Sequence, residues 1–190
     1  MNRRGFPLTL LLLLLLGVTI SYWWYYDWRD HSQDGRILAA ARRYGAPPAL
    51  VKAVVWRESR FDPAAHGTRG ELGLMQVLLP AAAKDWTDAE HLPPLTPKHL
   101  LNPATNTLVG AWYLEKLLKR YAQTDNPIPY VLADYNAGRS NVLKWNQGRA
   151  ATNSAAFLQQ INFPKTHSYV LTVMRRYNYY RPIFPPKETK

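Results

Sequence analysis

Cysteine is absent from the 190 residues of the chain. This absence excludes a disulfide framework, a thiol nucleophile, a zinc site with cysteine ligands and a lipid anchor on an N-terminal cysteine. The five histidines show neither HxxxH nor HExxH spacing. The sequence therefore predicts no metal site and no cofactor.

Acidic residues are also few. The chain has 13 Asp and Glu against 24 Lys and Arg, which gives a net charge of +11 with neutral histidines. Such an excess of positive charge indicates an anionic partner: a nucleic acid, a phospholipid surface or an acidic polymer. The length allows one domain with an appendage, and a hydrophobic content of 47% is ordinary for a chain that folds around a core.

The N-terminal segment is strongly apolar. Residues 6–26 carry no formal charge, and positions 10–16 are all leucine. At ~1.5 Å per residue, a helix of this length crosses the hydrocarbon core of a bilayer. Seven leucines in a row leave no polar face, which argues against a buried core helix. The segment ends in aromatic residues of the kind found at the level of lipid headgroups: Tyr22, Trp23, Trp24, Tyr25, Tyr26 and Trp28.

The flanks of this segment predict its topology. Arg3 and Arg4 precede it, whereas residues 27–30 carry charges of both signs. The positive-inside rule then predicts a cytoplasmic N-terminus, a single pass through the inner membrane and a periplasmic domain. The alternative is a cleaved signal peptide with Thr19 and Ser21 at a weak cleavage site, but such a peptide does not need an aromatic belt. A periplasmic domain does not meet chromosomal DNA, so nucleic acid is not expected as a partner.

Helical periodicity predominates in the rest of the chain, and no run of alternating strand residues is evident. The prolines at 47–48 and the pair at 102–103, Asn-Pro, are typical helix starts. A helix is also predicted over residues 74–83. We therefore expect a mainly α chain, with a signal anchor over residues 1–28 and a multi-helix domain over residues 29–190.

Glu58 stands out because it falls on the apolar stripe of a predicted helix. Val51, Val54, Val55 and Glu58 stand at positions i, i+3, i+4 and i+7, which lie on one face of a helix. Desolvation on such a stripe would raise the pKa of the carboxyl group towards neutrality, which suits a general acid. The alternative is that the helix ends before this position and leaves Glu58 exposed, as a surface ion pair with Arg57 or Arg60.

The residues around Glu58 form the first of several ordered motifs. Residues 58–65 read ESRFDPAA and resemble the ESxFxPxA signature of lytic transglycosylases with a goose-lysozyme-like catalytic domain, glycoside hydrolase family 23. Residues 73–76, GLMQ, and residues 135–138, YNAG, are similar to the next signatures of that family. The helix from residue 102 and the segment 164–170 resemble its connecting helix and its closing PxETxxYV element.

The resemblance implies a lysozyme-like fold and cleavage of the β-1,4 bond between N-acetylmuramic acid and N-acetylglucosamine in peptidoglycan. The products would end in 1,6-anhydro-N-acetylmuramic acid, and Glu58 would act first as general acid and then as general base. No enzyme nucleophile is required, because the substrate's own acetamido group can stabilise the sugar carbon. Ser59 belongs to the signature as an accessory residue, and it has no obvious base that would make it a nucleophile.

Further residues are expected to bind substrate. Backbone and side-chain groups of Met75 and Gln76 would line the cleft and contact sugar amides. The Tyr135 hydroxyl would orient either the acetamido group or the catalytic carboxyl, and Tyr169 would close the other wall. Asn136 is expected to hold nearby backbone. For both tyrosines, a place in the hydrophobic core is the alternative.

The chain departs from the family pattern at four positions. Gly67 stands where a serine is usual, and Lys165 stands where the closing element has glutamate, so neither can supply the family's hydroxyl or carboxylate. Asp134 replaces the first alanine of AYNAG. Glu71, which stands where alanine is common, has two interpretations. It either holds a water opposite the general acid and favours hydrolysis, or it bonds to Arg69 or to the first amides of the helix predicted from residue 74.

Two other functions stay open at this point. The departures at positions 67 and 165 allow a non-catalytic peptidoglycan-binding or scaffold module of an envelope assembly, and a second carboxylate would suit a lysozyme-type hydrolase. The expected partners are peptidoglycan glycan strands and the inner membrane through the N-terminal helix. The sequence predicts no particular protein partner.

Overall fold

The computed structural model describes residues 8–185 of the chain. Among these residues there are α-helices and turns but no strand, only two isolated β-bridges. The expectation of a mainly α fold is confirmed. The α-helices are α1 (Leu8–His31), α2 (Asp34–Tyr44), α3 (Pro48–Ser59), α4 (Lys84–Ala89), α5 (Pro97–Leu100), α6 (Pro103–Arg120), α7 (Ile128–Ala137), α8 (Arg139–Trp145), α9 (Ser154–Gln160) and α10 (Pro164–Tyr180).

Most helix boundaries follow from local chemistry. Proline stands at the first turn of α3, α6 and α10, where its missing N–H leaves no hydrogen bond unmade. The side chain of Asn102 accepts hydrogen bonds from the amides of Ala104 and Thr105 and caps α6, as its sequence predicts. Gly45 ends α2 with φ of 77°, a left-handed conformation that glycine adopts without steric cost.

The prediction of a helix over residues 74–83 is wrong. Residues 73–76 form a turn that is closed by bridge pairing of Leu72 with Val77, and a π-helical turn begins only at Leu79. The turn cannot be α-helical, because φ is +73° at Gly73 and +47° at Gln76. What holds it is a buried side chain on α6, described with the site below.

Helix α3 lies at the centre of the core. It packs against α10, α2 and α6, and α6 and α10 also contact α7. Its residues from Ala49 to Val55 are all buried, including Lys52, so the helix has almost no solvent-facing side before its last turn. The last turn therefore emerges from the core directly beneath the cleft described below.

Helix α1 continues through the predicted boundary at residues 28 and 29 as far as His31. It is the one helix among the described residues that is long and apolar enough to cross a membrane, judged by length and composition. Its leucines from Leu10 to Leu16 are 40–64% exposed, so no other part of the described chain covers them. Arg3 and Arg4, on which the predicted orientation depends, lie outside the described residues.

The end of α1 is attached to the domain through Asp30. This carboxylate accepts a hydrogen bond from Arg176 Nη2 at 2.8 Å and another from the Tyr180 hydroxyl. It also lies 3.5 Å from the Nζ of Lys52, which is 1% exposed and makes a second ion pair with Asp34 at 2.7 Å. Separating α1 from the domain would leave Lys52 paired with Asp34 alone and would remove the carboxylate that Arg176 binds, so these contacts hold α1 against the domain.

Candidate active site

A cleft of ≈ 420 Å³ opens above the last turn of α3. Its walls come from four parts of the chain: the end of α3, the loop and turns over residues 67–82, the middle of α6, and the C-terminal half of α7 with the glycine that follows it. The residues that line it include Glu58, Gly67, Arg69, Glu71, Gln76, Tyr113, Asp134, Tyr135 and Asn136. Three of the sequence signatures thus meet in one cavity.

Glu58 is the penultimate residue of α3, so the helix does reach this position and the carboxyl group faces the cleft. It is not a surface ion pair with Arg60, whose guanidinium group stacks instead on Trp56, with Cζ 3.6 Å from the ring centroid. Burial raises the pKa of Glu58 from its usual 4.5 to about 7, against the opposing effects of a hydrogen bond from Tyr169 and the charge of Arg57. A carboxyl group with this pKa is protonated often enough near neutral pH to act as a general acid.

Tyr169 provides the hydrogen bond that orients this carboxyl group. Its hydroxyl donates to Glu58 Oε1 at 2.6 Å, and the residue is 2% exposed. Burial and the neighbouring Glu58 raise the pKa of Tyr169 well above 10, so the hydroxyl keeps its proton and can only donate to an ionised carboxylate. The sequence predicts Tyr169 in a wall of the cleft, but it is not among the residues that line the cavity. It belongs to the buried core, the alternative considered for it, and it reaches the site through its bond to Glu58.

Tyr135 and Met75 interact with each other rather than with the acid. The Tyr135 hydroxyl donates to the carbonyl of Met75 at 2.7 Å, so it is directed at the 73–76 turn and the direct bond to Glu58 comes from α10 instead. Met75 is fully buried and does not line the cleft, and its amide donates to the Asn106 side chain at 2.8 Å. Its backbone is thus already engaged, while the ring of Tyr135 lines the cleft wall.

Asn106 on α6 holds the turn in place. It is fully buried, and besides accepting from the Met75 amide it donates to the carbonyls of Leu72 and Leu100 at 2.7 and 2.8 Å. A Cβ at Gly73 would lie 2.6 Å from the Leu100 carbonyl, so the close approach requires glycine as well as its positive φ. The sequence predicts the helix that carries Asn106, but it gives no sign of this role of the side chain.

The remaining predicted residues have defined places. Gln76 lines the cleft, and its Nε2 donates to the carbonyls of Gly73 at 2.9 Å and Ala65 at 3.2 Å. Ser59 is buried, and its single hydroxyl proton is shared between the carbonyls of Leu74 at 2.8 Å and Val55 at 3.1 Å, which joins the end of α3 to the turn. Asn136 also lines the cleft and accepts a hydrogen bond from Thr166 Oγ1 at 2.9 Å. Its partner is thus a side chain of α10 rather than backbone.

Asp134, a departure with no role assigned from sequence, forms a buried ion pair at the edge of the cleft. Its Oδ2 accepts from Arg120 Nη1 at 2.8 Å and from the Tyr121 hydroxyl at 2.6 Å. Its Oδ1 is buried and has no hydrogen-bond partner among the described residues. Within that same part of the chain, no group of three or more His, Asp or Glu side chains is arranged to hold a metal ion.

Comparison with known proteins places this cleft in a family. Residues 36–158 match the family described as Transglycosylase SLT domain. The chain belongs to this family. The match contains the Glu58 helix, the turn over residues 73–76 and α7, and it ends before α10, which carries Tyr169.

Named relatives of this SLT domain agree with that assignment. It is 35% identical over 123 residues to membrane-bound lytic murein transglycosylase C of Klebsiella pneumoniae (strain 342), covering 62% of this chain and 34% of the relative. It is 32% identical over 145 residues to soluble lytic murein transglycosylase of Escherichia coli (strain K12), covering 75% and 22%. The chain thus spans about a third and about a fifth of the length of these relatives.

Comparison with solved structures agrees with the family assignment. The 70-kDa soluble lytic transglycosylase of Escherichia coli superposes with a TM-score of 0.67 at 28% identity, over 78% of this chain and 24% of that one. The expectation of a lysozyme-like transglycosylase fold is confirmed.

Two departures of this SLT domain lie against each other. A Cβ at Gly67 would come within 2.8 Å of Glu71 Cβ and 2.7 Å of Gln76 Oε1, so the Glu71 side chain occupies the space beside residue 67. Glu71 Oε2 accepts from the Arg69 amide and Oε1 from Arg69 Nε, both at 2.8 Å. The expected bond to Arg69 is confirmed, whereas the expected bond to a helix starting at Leu74 is wrong because no helix begins there.

The ionisation of Glu71 differs from that of Glu58. Burial by itself would raise the pKa of Glu71, but hydrogen bonds from backbone amides and from the Arg69 side chain outweigh it and lower the pKa below 4.5. Glu71 is therefore ionised at neutral pH, and its charge is one of the influences that raise the pKa of Glu58. Of the two glutamates that line the cleft, one is readily protonated and the other is not.

Proposed function

We propose that this chain is a membrane-anchored lytic transglycosylase, which cleaves the β-1,4 bond between N-acetylmuramic acid and N-acetylglucosamine and leaves 1,6-anhydro-N-acetylmuramic acid ends. The observation that carries the proposal is the Glu58 carboxyl group, partly buried in the cleft with a pKa of about 7 and oriented by Tyr169. Membership of the SLT family and the names of the relatives support the reaction class.

In the first step, protonated Glu58 donates its proton to the glycosidic oxygen, and the bond between that oxygen and C1 of the muramic acid breaks as positive charge develops on the sugar. The carbonyl oxygen of the substrate's own 2-acetamido group stabilises C1. As Glu58 becomes a carboxylate, the hydrogen bond from Tyr169 gains strength because its acceptor is now charged. The site thus stabilises the charge that the reaction creates.

In the second step, the Glu58 carboxylate removes the proton of the C6 hydroxyl, and O6 forms a bond to C1 while the acetamido oxygen leaves it. The carboxyl group is thereby restored for the next cycle. The attacking hydroxyl is part of the substrate and is already held near C1, which gives it a large advantage in effective concentration over water.

The state of Glu71 favours this route over hydrolysis. A carboxylate that activates water must be basic enough to take the water's proton, and a carboxylate whose charged form is stabilised by hydrogen bonds is less basic. Both oxygens of Glu71 accept hydrogen bonds from Arg69, and its lowered pKa makes it a weak base. We therefore assign Glu71 to the loop and not to the activation of water.

We also propose that α1 remains attached as a single-pass anchor in the inner membrane, with the N-terminus in the cytoplasm and the domain in the periplasm. The length of α1, its exposed leucines and the aromatic residues at its end support this topology. The positive charge of the chain suits a wall polymer rich in carboxylates, which it would attract at low ionic strength.

The test is mass spectrometry of the products released from purified sacculi by wild-type chain, Glu58→Gln and Glu71→Gln. We expect anhydro products from wild type and from Glu71→Gln, and none from Glu58→Gln. Products that carry an added water in wild type would instead indicate a lysozyme-type hydrolase. Binding of sacculi by wild type without any released product would indicate a non-catalytic wall-binding module.

A further inference from the structure

A second cavity lies where α1 meets the folded domain, and the proposed reaction does not use it. Its volume is ≈ 530 Å³. One wall comes from the last two turns of α1, and the other comes from the end of α3 and the C-terminal end of α10. None of the residues that line it belongs to the catalytic cleft. We call it the juxtamembrane cavity.

The walls of the juxtamembrane cavity are fixed relative to each other. Asp30 on α1 lines it and bonds to Arg176 on α10, which lines it as well. The buried Lys52 supports Asp30 from below, at 3.5 Å. Because this ion-pair network joins the two walls, the cavity is formed before any ligand enters and needs little ordering when one binds.

Exposed apolar side chains line the juxtamembrane cavity on both walls, next to the aromatic end of α1. Trp23 and Tyr26 belong to the aromatic end of α1, directly after the leucine run, and are 67% and 49% exposed. On the opposite wall, Tyr179 and Ile183 are 56% and 51% exposed. If α1 spans a bilayer, these side chains lie at the level of the headgroups and of the first carbons of the acyl chains. A ligand with an apolar part would cover them there.

Three arginines, at positions 29, 60 and 176, and two aspartates, at positions 27 and 30, line the cavity, so positive charge is in excess by one. The guanidinium group of Arg60 stacks on Trp56, and that of Arg176 lies 4.7 Å from the centroid of the same ring. Arg60 has no hydrogen bond or ion pair within the part of the chain that the structure describes, whereas Arg176 is engaged with Asp30. Burial and the nearby charges of Arg57 and Arg176 lower the pKa of Arg60. A bound anion would relieve this repulsion.

We propose that the juxtamembrane cavity binds the phosphate group of a membrane phospholipid. Arg60 is the principal ligand of the phosphate, and Trp23 and Tyr179 contact the glycerol and the upper acyl chain. A guanidinium group matches the geometry of phosphate oxygens and binds them by charge-assisted hydrogen bonds. The uncovered aromatic walls favour a lipid over free phosphate, which would leave them exposed. The proposal rests on the membrane anchoring of α1 proposed above, and a bound lipid would fix the orientation of the domain on the membrane.

The experiment uses the full chain in non-ionic detergent micelles and native mass spectrometry. Phosphatidylglycerol is compared with diacylglycerol of the same acyl chains, and Arg60→Gln is compared with Arg149→Gln, a matched change at an exposed arginine outside the cavity. We expect wild type and Arg149→Gln to retain one phosphatidylglycerol, and Arg60→Gln to retain about tenfold less, as the loss of a charge-assisted hydrogen bond implies. Equal retention by Arg60→Gln, or equal retention of diacylglycerol, would overturn the proposal.

Two further measurements distinguish a lipid site from a free-phosphate site and test the membrane anchor separately. Inorganic phosphate in large excess should not displace the bound lipid; if it displaces phosphatidylglycerol as readily as more phosphatidylglycerol does, the cavity is a free-phosphate site and the lipid assignment is wrong. Flotation of the full chain with phosphatidylcholine vesicles tests the anchor itself. Wild type and Arg60→Gln should both float. A chain that floats but retains no phosphatidylglycerol refutes only the cavity, whereas a chain that does not float refutes the anchor and the cavity together.

Discussion

Glu58 lowers the stability of the folded chain at neutral and alkaline pH, and replacing it with glutamine should measure by how much. Its pKa is about 7 in the fold and close to 4.5 in an unfolded chain. Between these two pH values the folded state holds a proton that the unfolded state has lost. The favourable contribution of this group is therefore fully present below pH 4.5 and is lost as the pH rises through 7.

The magnitude follows from the two pKa values. A difference from 4.5 to about 7, at about 1.4 kcal/mol per pH unit, corresponds to roughly 3 kcal/mol once Glu58 is ionised. Glutamine has nearly the same shape, can accept the hydrogen bond from Tyr169 and never ionises. Glu58→Gln should thus be more stable relative to wild type at pH 8 than at pH 4 by roughly 3 kcal/mol, although it abolishes turnover.

The assay is urea unfolding of the full chain in detergent micelles, at several pH values from 4 to 8, with the difference in the free energy of unfolding taken at each. Glu115→Gln is the matched control, because Glu115 lies on α6 and does not line the cleft. A stability difference between Glu58→Gln and wild type that stays constant from pH 4 to pH 8 would refute the reasoning. It would mean that the carboxyl group is not desolvated in the fold.

Three other changes have defined outcomes. Tyr169→Phe removes a hydrogen bond that lowers the pKa of Glu58. The basic limb of the pH profile of kcat/KM should therefore move to higher pH by about one unit. A move to lower pH would contradict the assigned contact. Asn106→Ala leaves the buried Met75 amide and Leu100 carbonyl without the partner that Asn106 supplies, while the Leu72 carbonyl keeps its bond from the Val77 amide. The change should cost about 3 kcal/mol in urea unfolding, and a cost near zero would mean that the turn does not depend on Asn106. Gly110→Ala places a Cβ 2.7 Å from Cε of the buried Met75 and still nearer to its sulfur, and it should destabilise the chain by about 1–3 kcal/mol in thermal unfolding. Gly35→Ala, which has open space around it, should be neutral or stabilising in the same assay.

The parts of the fold that were predictable from the sequence are those decided within a few residues. Pro48 and Pro103 mark helix starts because proline has no N–H to satisfy at a first turn, and both helices begin there. The place of Glu58 on the apolar side of α3 follows from a spacing of seven residues along one helix. Neither inference requires knowledge of the tertiary structure.

The features that could not be predicted depend on distant partners. The apolar residues 74–83 read as a helix, but Asn106 lies more than thirty residues away in sequence and supplies the hydrogen bonds that make residues 73–76 a turn instead. Tyr169 is 111 residues from Glu58, and no local pattern distinguishes it from the other tyrosines of the chain. Which tyrosine reaches the acid is decided by how α10 packs on α3.

The two loop departures of this SLT domain are explained only when they are considered together. Taken alone, Gly67 suggests the loss of a positioning group and Glu71 suggests the gain of a second acid. In the structure, the absence of a side chain at residue 67 leaves room for the Glu71 carboxylate, which Arg69 holds ionised beside the cleft. Polar character is therefore retained at that wall but is supplied from a different position in the loop. A side chain could not be restored at residue 67 without displacing Glu71, so the glutamate at position 71 requires the glycine at position 67.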